Sequence, residues 1–211
     1  MTGLQREGNR ITAVETTRGV IRAKKFGLAV AGHSGHVAAM AGFRLPIETH
    51  VLQALVSEPL KPVLDTVVTS GAVHFYISQS DKGELVMGGD IDGYNSYGQR
   101  SNLPVIEHSV QSMVALFPSF SRLRMMRTWG GVMDMSMDGS PIISKTPLDN
   151  LYLDGGWCIG GFKATPAAGW ALAYTIARDR PHPINEAFAL DRFASGHLFD
   201  EKGQGPAPYL Q

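Results

Sequence analysis

Residues 155–170, GGWCIGGFKATPAAGW, are the residues of this chain whose types and spacing best suit a binding site. Gly160 and Gly161 carry no Cβ and tolerate positive φ, so the backbone can pass close to a ligand there. A glycine-rich turn that opens a helix presents backbone N–H groups and the positive end of the helix dipole, and Lys163 adds a positive charge beside them. The stretch therefore predicts a site for an anion. A tight strand-to-helix turn without a ligand is the alternative that spacing alone leaves open.

The helix after this turn is predicted to begin at Thr165 and Pro166. Threonine is a good N-cap, and proline suits the first helical position because its missing N–H is not needed there. The small residues Ala167, Ala168, Gly169 and Ala171 follow. They would let the helix lie close against a neighbouring element or a flat ligand.

Trp129, Gly130 and Gly131 form a second candidate stretch. A large aromatic residue beside two glycines is expected where the backbone passes next to a planar ring, because glycine permits the close approach. A bulged strand under a core tryptophan explains the same three residues equally well.

The segment AGHSGH, residues 31–36, does not match the G-x-S-x-G elbow of a serine hydrolase, because His36 stands in place of the second glycine. A buried strand that ends at Gly32 is better explained as backbone close to a bound cofactor. The seven histidines form no H-x-x-x-H pair and no cluster with carboxylates, so no metal site is predicted.

The elements that must position these residues mix strands and helices without a regular βαβ alternation. Alternating apolar patterns predict strands, and apolar residues spaced by three or four predict helices. The predicted strands are 11–15, 19–23, 26–31, 48–60, a hairpin of 73–79 with 84–90, and further strands within 123–144 and at 151–156; helices are predicted at 36–41, at 104–117 and after the glycine-rich turn. This mixture favours an α+β fold with a mixed or antiparallel sheet and helices packed on it.

Composition limits the function classes. The chain has 211 residues, which suits one large domain or two interleaved ones, and a formal net charge of zero, which predicts neither a nucleic-acid nor an anionic-membrane surface. The single Cys158 excludes an intramolecular disulfide and favours the cytoplasm. Residues 1–10 lack the apolar region of a signal peptide. The opening on an exposed hairpin, without a leading core element, suggests that the start of the domain is missing.

Four segments together resemble a known family: LAVAGHSG, GELVMGGDIDGYNSYGQR, RTWGGVMDMSMDGSPIIS and the stretch from GGWCIGGFKATP to ALDRF. They are similar to the β subunits of heterotetrameric sarcosine oxidases, which belong to the D-amino-acid-oxidase-like FAD-dependent oxidoreductases. The resemblance runs from about Ile11 to the C-terminus and corresponds to the C-terminal half of such a subunit. The family's N-terminal βαβ unit, with G-x-G-x-x-G, has no counterpart in this sequence.

The resemblance implies roles for particular residues. The glycine-rich turn and the helix start would lie at the pyrimidine edge of the flavin, where backbone donors stabilise negative charge on the reduced ring. Lys163 would bind the carboxylate of an amino-acid substrate and is the implied catalytic residue. The implied FAD-contacting residues are Cys158, Ile159, Gly160, Gly161, Phe162 and Lys163, together with Gly32, Trp129, Gly130 and Gly131.

This chain departs from the family pattern at several positions. The subunits commonly read G-W-G-T-G-G-F-K, whereas Cys158 and Ile159 replace Gly-Thr here. No cysteine stands near Gly131, where monomeric relatives attach the flavin, so FAD is expected to bind without a covalent bond. Val86 and Met87 occupy the strand that carries an oxygen-activating lysine in those relatives. The histidine that carries FMN and a second carboxylate-binding arginine would belong to the other half of the subunit.

The resemblance implies a division into part of an FAD-binding domain (1–45), a substrate-binding domain (46–145), an FAD-contacting strand and helix (146–198) and a tail (199–211). The implied activity is oxidative demethylation of sarcosine to glycine, with formaldehyde or methylene-folate and hydrogen peroxide as the other products. The other sarcosine oxidase subunits would be its partners. Two alternatives remain: an oxidase or dehydrogenase for another N-methyl amino acid, and a non-catalytic remnant that binds partner subunits without flavin.

Overall fold

Residues 1–199 are described by the computed structural model, and they form two compact units. The first unit combines residues 1–49 with the chain from residue 133, and the second unit consists of residues 50–132. The predicted tail at 199–211 lies, from residue 200 onward, outside the described residues.

The elements follow one another along the chain in a mixed order. The strands are β1 (Gly3–Glu7), β2 (Arg10–Thr16), β3 (Gly19–Arg22), β4 (Phe26–Leu28), β5 (Ile47–Pro59), β6 (Val68–Ser70), β7 (Phe75–Gln79), β8 (Glu84–Ile91), β9 (Met125–Ser136), β10 (Ile142–Lys145) and β11 (Leu151–Gly155). The helices are α1 (Ser34–Met40), α2 (Leu103–Leu116), α3 (Gly161–Arg178) and α4 (Arg192–Ser195), with short 3₁₀ turns at Ala31–His33, Pro118–Phe120 and Glu186–Phe188. The expected α+β mixture is confirmed.

The first unit contains two three-stranded sheets. One is the antiparallel meander β1-β2-β3; the other has the order β10-β11-β4, in which β10 and β11 are antiparallel while β11 and β4 are parallel. The buried core of this unit comprises Ile11, Leu28, Val37, Ala41, Ile142, Leu148, Leu151 and Leu153. A smaller cluster of Ile143, Ala168 and Ala171 packs α3 against β10. Strands β10 and β11, which precede α3, therefore belong to a well-packed sheet.

The second unit is built on a five-stranded sheet of order β6-β7-β8-β5-β9, with α2 packed against β7 and β8. The predicted hairpin is confirmed as β7 and β8, and the predicted helix as α2. The Asn102 side chain caps α2 by accepting the Val105 N–H at 3.0 Å. The predicted apolar stripe lies in the core of this unit: Met113 is buried, and Ile106, Val110, Val114 and Phe117 pack against the same cluster.

Several sequence predictions differ from the structure, and the short elements β6 and α4 were not predicted at all. Strand β1 was not predicted, because its polar pattern shows no apolar alternation; it forms by pairing with β2. The strand predicted at 26–31 ends at Leu28, and a 3₁₀ turn follows. Helix α3 begins at Gly161 and not at Thr165 and Pro166. The Thr165 hydroxyl donates to the Gly161 carbonyl at 3.1 Å, so this threonine lies inside the helix instead of capping it.

None of the helices in residues 1–199 is both long enough and apolar enough to cross a lipid bilayer.

A buried ion pair ties the C-terminal segment to the turn after β9. Both nitrogens of the Arg192 fork reach Asp138: Nε lies 2.7 Å from Oδ2 and Nη2 lies 2.9 Å from Oδ1. Nη2 also donates to the Ser140 carbonyl at 2.9 Å. Burial alone would raise the pKa of Asp138, but the hydrogen bonds from Arg192 and from the Phe199 N–H, with the arginine charge, lower it.

Replacement of Arg192 by Met is predicted to destabilise the protein strongly, because it leaves the Asp138 carboxylate buried without its partner. The expected loss in the free energy of unfolding is about 3–5 kcal/mol. Denaturant titration measures it. The matched control is Lys145→Met, which removes an exposed pair with Asp179 at 3.1 Å and should cost less than about 1 kcal/mol. Equal losses in the two variants would contradict the prediction.

Candidate functional site: the glycine loop and the cavity at the start of α3

The segment between β11 and α3, residues 155–161, is called the glycine loop here. Gly156 has a φ of 72° and Cys158 a φ of 51°, so the loop twice enters the left-handed region. The Gly160 N–H closes the last turn on the Trp157 carbonyl at 2.9 Å. Within the described part of the chain, no side chain caps the N-terminus of α3, and its first turn holds no acidic residue. The helix thus presents uncapped N–H groups and the positive end of its dipole.

A cavity of about 430 Å³ opens beside this helix start, entirely within the first unit. This volume falls in the range of roughly 300–1,000 Å³ that is usual for small-ligand sites. The lining comes from the glycine loop, from α3 and from the segment after it: Met135, Gly139, Pro141, Ile143, Trp157, Cys158, Ile159, Gly160, Lys163, Ala164, Ala167, Ala168, Ala171, Ile184, Asn185 and Phe188. Among the described residues that line it, Lys163 is the only charged one, so this largely apolar pocket favours a ligand with an anionic part.

The glycine loop is attached to β9 through Asp134. The Asp134 carboxylate accepts the Gly156 N–H at 2.5 Å, and its main-chain carbonyl accepts the Cys158 N–H at 2.9 Å. Between these two bonds, Met135 and Trp157 form an isolated antiparallel bridge. A single residue of β9 thereby sets the path of the loop on both sides of Trp157.

The Trp157 ring links the loop to the first residue of α3. Its Nε1–H donates to Asp154 Oδ1 at 2.6 Å. A Cβ placed on Gly161 would stand 3.0 Å from Trp157 Cβ and 3.4 Å from Cγ. The helix therefore begins against the indole, and only glycine fits there without displacing it.

Burial raises the pKa of three groups around the loop. For Asp134, burial outweighs the backbone N–H groups that stabilise its charge, and the nearby Asp154 carboxylate raises the pKa further. Burial likewise raises the pKa of Asp154 above its usual value, against the hydrogen bond from Trp157. The pKa of the Cys158 thiol is also raised by burial, so at neutral pH this thiol stays protonated and is a poor nucleophile.

The structure brings four of the predicted site residues together. Cys158, Ile159, Gly160 and Lys163 all line the cavity, whereas Gly161 lies behind it against Trp157. The Phe162 side chain is 97% exposed.

The remaining predicted site residues lie elsewhere. Gly32 is buried in the 3₁₀ turn of the first unit, and its carbonyl accepts the Thr49 hydroxyl at 2.6 Å. Trp129, Gly130 and Gly131 belong to the second unit. A Cβ on Gly130 would stand 2.5 Å from Val51 Cγ1, so close packing inside that unit already requires a glycine there. The FAD-contacting roles of these four residues stay predictions.

A family model described as "FAD dependent oxidoreductase" matches residues 1–175 of this chain. The chain belongs to the FAD dependent oxidoreductase family. Members of this family use FAD, and the glycine loop, α3 and the cavity beside them lie within or directly after the matched residues.

Sequence relatives within this family include two sarcosine oxidase β subunits. The sarcosine oxidase subunit beta of Rhizobium meliloti is 62% identical over 210 residues, which is 100% of this chain and 50% of the relative. That of an Arthrobacter species is 56% identical, over 96% of this chain and 50% of the relative. The chain thus spans about half the length of the curated relatives it matches.

Solved structures agree with the family fold. L-proline dehydrogenase from P. horikoshii superposes with a TM-score of 0.83 at 25% identity. The superposition covers 94% of this chain and 54% of the dehydrogenase chain. Glycine oxidase from Geobacillus kaustophilus superposes with a TM-score of 0.77 at 18% identity, over 90% of this chain and 51% of its own, which shows likeness of fold alone.

The residues at the start of α3 fit the flavin that the family implies. Gly160 lines the cavity without a side chain, the helix end is uncapped, and Lys163 supplies the one charge of the lining that the structure describes. These groups suit the electron-rich edge of a flavin ring and an anionic ligand beside it. Among residues 1–199, no group of three or more His, Cys, Asp or Glu side chains is placed to hold a metal ion.

Sequence reasoning missed two kinds of site residue. The far wall of the cavity, with Asn185 and Phe188, gave no signal because nothing in its sequence indicates which residues it folds against. Asp154 was missed without any signal, but Asp134 had one: Asp134, Ser136 and Asp138 alternate with methionines at the end of β9 and in the turn after it, so an extended chain would place these three polar side chains on one side. All three are buried.

Replacement of Gly161 by Ala is predicted to destabilise the start of α3, because the new Cβ would press on an indole that Asp154 holds in place. The thermal midpoint should fall, and FAD should bind more weakly. Gly169→Ala in the same helix is the matched control. No atom lies within 4 Å of its Cβ position, so it should stabilise the helix by up to about 1 kcal/mol. A Gly161→Ala protein with unchanged stability and unchanged FAD affinity would disprove that the contact between Gly161 and Trp157 holds the start of α3 in place for FAD.

The raised pKa of Asp134 and of Asp154 predicts a characteristic pH dependence of stability. A carboxyl group whose pKa is higher in the folded state stabilises the fold below its unfolded pKa, and this contribution is lost as pH rises through the folded value. As pH rises from weakly acidic to neutral, the thermal midpoint of the unchanged protein should therefore fall. The midpoints of Asp134→Asn and Asp154→Asn should fall less over the same range, because these variants lack the titrating group. Scanning calorimetry across this range measures the difference.

The control for this pH dependence has the opposite sign. The pKa of Asp138 is lowered in the folded state, so its contribution is present above its unfolded pKa and lost as pH falls. Asp138→Asn should lose stability mainly at neutral pH. If the thermal midpoints of all three variants changed with pH in the same way, the opposite pKa shifts assigned to Asp138 and to Asp134 and Asp154 would be wrong.

Proposed function

We propose that this chain forms the C-terminal half of a sarcosine oxidase β subunit and supplies the flavin-facing loop and the carboxylate-binding lysine of its amino-acid oxidation site. The observation that carries the proposal is the single charge of the cavity, Lys163, placed two residues beyond the first residue of an uncapped helix that begins against the glycine loop. Identities of 50–62% to three sarcosine oxidase β subunits support the choice of reaction.

Bound FAD would supply the hydride acceptor for the N-methyl group of sarcosine, with the imine product hydrolysed to glycine and formaldehyde and the electrons passed to oxygen as hydrogen peroxide. The roles of this chain are to bind and orient. The Lys163 ammonium group would pair with the substrate carboxylate, because an amino acid carries this group whatever its nitrogen substituent.

The same proposal assigns cofactor contacts to the glycine loop. The N–H groups of Gly161, Phe162 and Lys163 belong to the first turn of α3 and would face the flavin edge where negative charge gathers on reduction. The contacts proposed for Cys158, Ile159 and Gly160 are main-chain contacts, so they survive the change from the family's Gly-Thr pair. FAD would bind without a covalent bond. FMN and its attachment histidine would belong to the rest of the complete enzyme, as would the partner subunits.

A wider substrate class has one observation in its favour. L-proline dehydrogenase, with a TM-score of 0.83, is named for a secondary amino acid, as sarcosine is. A panel of sarcosine, N,N-dimethylglycine and L-proline, tested on the complete subunit, separates a sarcosine oxidase from an oxidase or dehydrogenase of another secondary or N-methyl amino acid. Preference for sarcosine by at least tenfold in kcat/KM, an order of magnitude that one well-used contact supplies, would support the proposal.

The visible absorption spectrum of the purified protein tests the flavin itself. A yellow protein whose colour is bleached by sarcosine in the absence of oxygen supports the oxidase. A folded, colourless protein that takes up no added FAD would favour the non-catalytic remnant.

Replacement of Lys163 by Ala is predicted to weaken the binding of the substrate carboxylate. A hydrogen bond to a charged group contributes about 1.5–3 kcal/mol, so the KM for sarcosine should rise roughly 10- to 100-fold. Steady-state kinetics measure it, and the dissociation constant of acetate, a carboxylate that is not oxidised, should rise in parallel. Lys61→Ala, an exposed lysine of the second unit, is the control. Unchanged constants for Lys163→Ala would exclude this role.

A further inference from the structure

Two carboxylates enclosed beside the glycine loop have no role in the proposed reaction. Asp134 is 5% exposed, and burial raises the pKa of Asp154 as well. Buried carboxylates are costly because the charged form loses its hydration. Asp134 on β9 is buried, Asp154 on β11 is half-buried, and the Asp154 charge adds to the cost of ionising Asp134. The presence of both carboxylates therefore requires a reason in the contacts that they make.

We propose that Asp134 and Asp154 are positioning residues for the flavin site: together they hold the glycine loop and the Trp157 ring, and through them the N-terminus of α3 and Lys163. This assignment rests on the proposed function. It adds to that function which residues set the geometry of the flavin-facing loop.

The first support is the strain that Asp134 holds in place. Cys158 adopts a φ of 51°, a conformation that glycine enters freely and that residues with a Cβ enter at a cost. Its N–H is bound by the Asp134 carbonyl at 2.9 Å. Because Cys158 carries a Cβ, this turn depends more on its hydrogen bonds than a glycine turn would.

The second support is the chemistry of the Asp134 side chain. Its carboxylate lies against the backbone N–H groups of both Gly156 and Trp157. An ionised carboxylate only accepts hydrogen bonds, so it can satisfy both N–H groups, whereas an amide would turn a donor toward one of them. The site therefore makes use of two acceptor oxygens, which asparagine does not have, even though burial raises the pKa of this carboxyl group.

The third support is the connection from Asp154 to the helix. Asp154 holds the Trp157 indole at 2.6 Å, and the indole stands directly against Gly161. A shift of the ring would move the first residue of α3 and, two residues later, Lys163. The start of the loop is equally confined: the Ser34 hydroxyl and the Asp134 carboxylate lie 3.2 Å and 3.3 Å from the point where a Cβ of Gly155 would stand.

The test uses the complete FAD-loaded subunit with Asp134→Asn, Asp154→Asn and Trp157→Phe. Asp81→Asn, in the exposed turn between β7 and β8, is the surface control, and Asp138→Asn is the control for a buried carboxylate with a stabilising partner. Three quantities are measured: the dissociation constant of FAD, the dissociation constant of acetate from the change in flavin absorption, and the thermal midpoint at neutral pH.

Positioning predicts that Asp134→Asn and Asp154→Asn weaken FAD and acetate by about tenfold each, the effect of one charge-assisted hydrogen bond. They should alter the visible absorption of the bound flavin, and their thermal midpoints should fall less than that of Asp138→Asn. Asp154→Asn and Trp157→Phe should not add in the double variant, because the two residues act through one contact. Asp81→Asn should match the unchanged protein.

Other outcomes overturn the assignment. Flavin that binds normally in Asp134→Asn and Asp154→Asn, with unchanged acetate affinity and spectrum, rejects the positioning role and leaves the oxidase proposal standing. A fall in thermal midpoint without any change in the two dissociation constants assigns both carboxylates a structural role only. Additive effects of Asp154→Asn and Trp157→Phe break the proposed link between them. An unchanged protein that takes up no FAD removes the proposed function itself.

Discussion

The buried polar row formed by Asp134 and Ser136 at the end of β9 and by Asp138 in the turn after it is the constraint on which the rest of the first unit depends. Polar groups removed from water must find partners inside the protein, since each unsatisfied group costs a large part of the total stability. Asp134 finds the glycine loop, and Asp138 finds Arg192. Ser136 donates to the Ser140 carbonyl at 2.7 Å. The row therefore determines where the loop, the turn after β9 and the C-terminal segment must lie.

The two outer members of this row each hold a different part of the cavity lining. Asp134 fixes the loop that opens α3, while Asp138 and Arg192 hold the turn that contributes Gly139 and Pro141 to the lining. Their energetics differ in sign. The hydrogen bonds and charge of Arg192 offset the burial of Asp138, so the pKa of Asp138 is lowered. Asp134 is stabilised by backbone N–H groups and lies near the Asp154 carboxylate, so burial prevails and the pKa of Asp134 is raised.

Much of the fold follows from local sequence patterns. The β7–β8 hairpin has its turn residues and alternation within one short segment, and α2 has its cap, its proline and its apolar stripe in a single stretch. Strand β1 and the start of α3 were not predictable in this way. β1 exists through its pairing with β2. The helix start at Gly161 depends on the Trp157 ring packed beneath it, and this contact outweighs the local preference of Thr165 and Pro166 for a later start.

By itself, the sequence determined the family, the glycine-rich turn before the last long helix, and the lysine at its lip, because these lie within one continuous motif. Only the tertiary structure decided that Asp134, Ser136 and Asp138 are buried. The alternation of these polar residues with methionines places them on one side of the chain but does not say whether that side faces the core. All three are buried, whereas Met137 is 58% exposed and Met133 is buried as well. Gly156 and Arg192, the partners of the two aspartates, are distant along the chain, so only the folded arrangement brings them to these carboxylates.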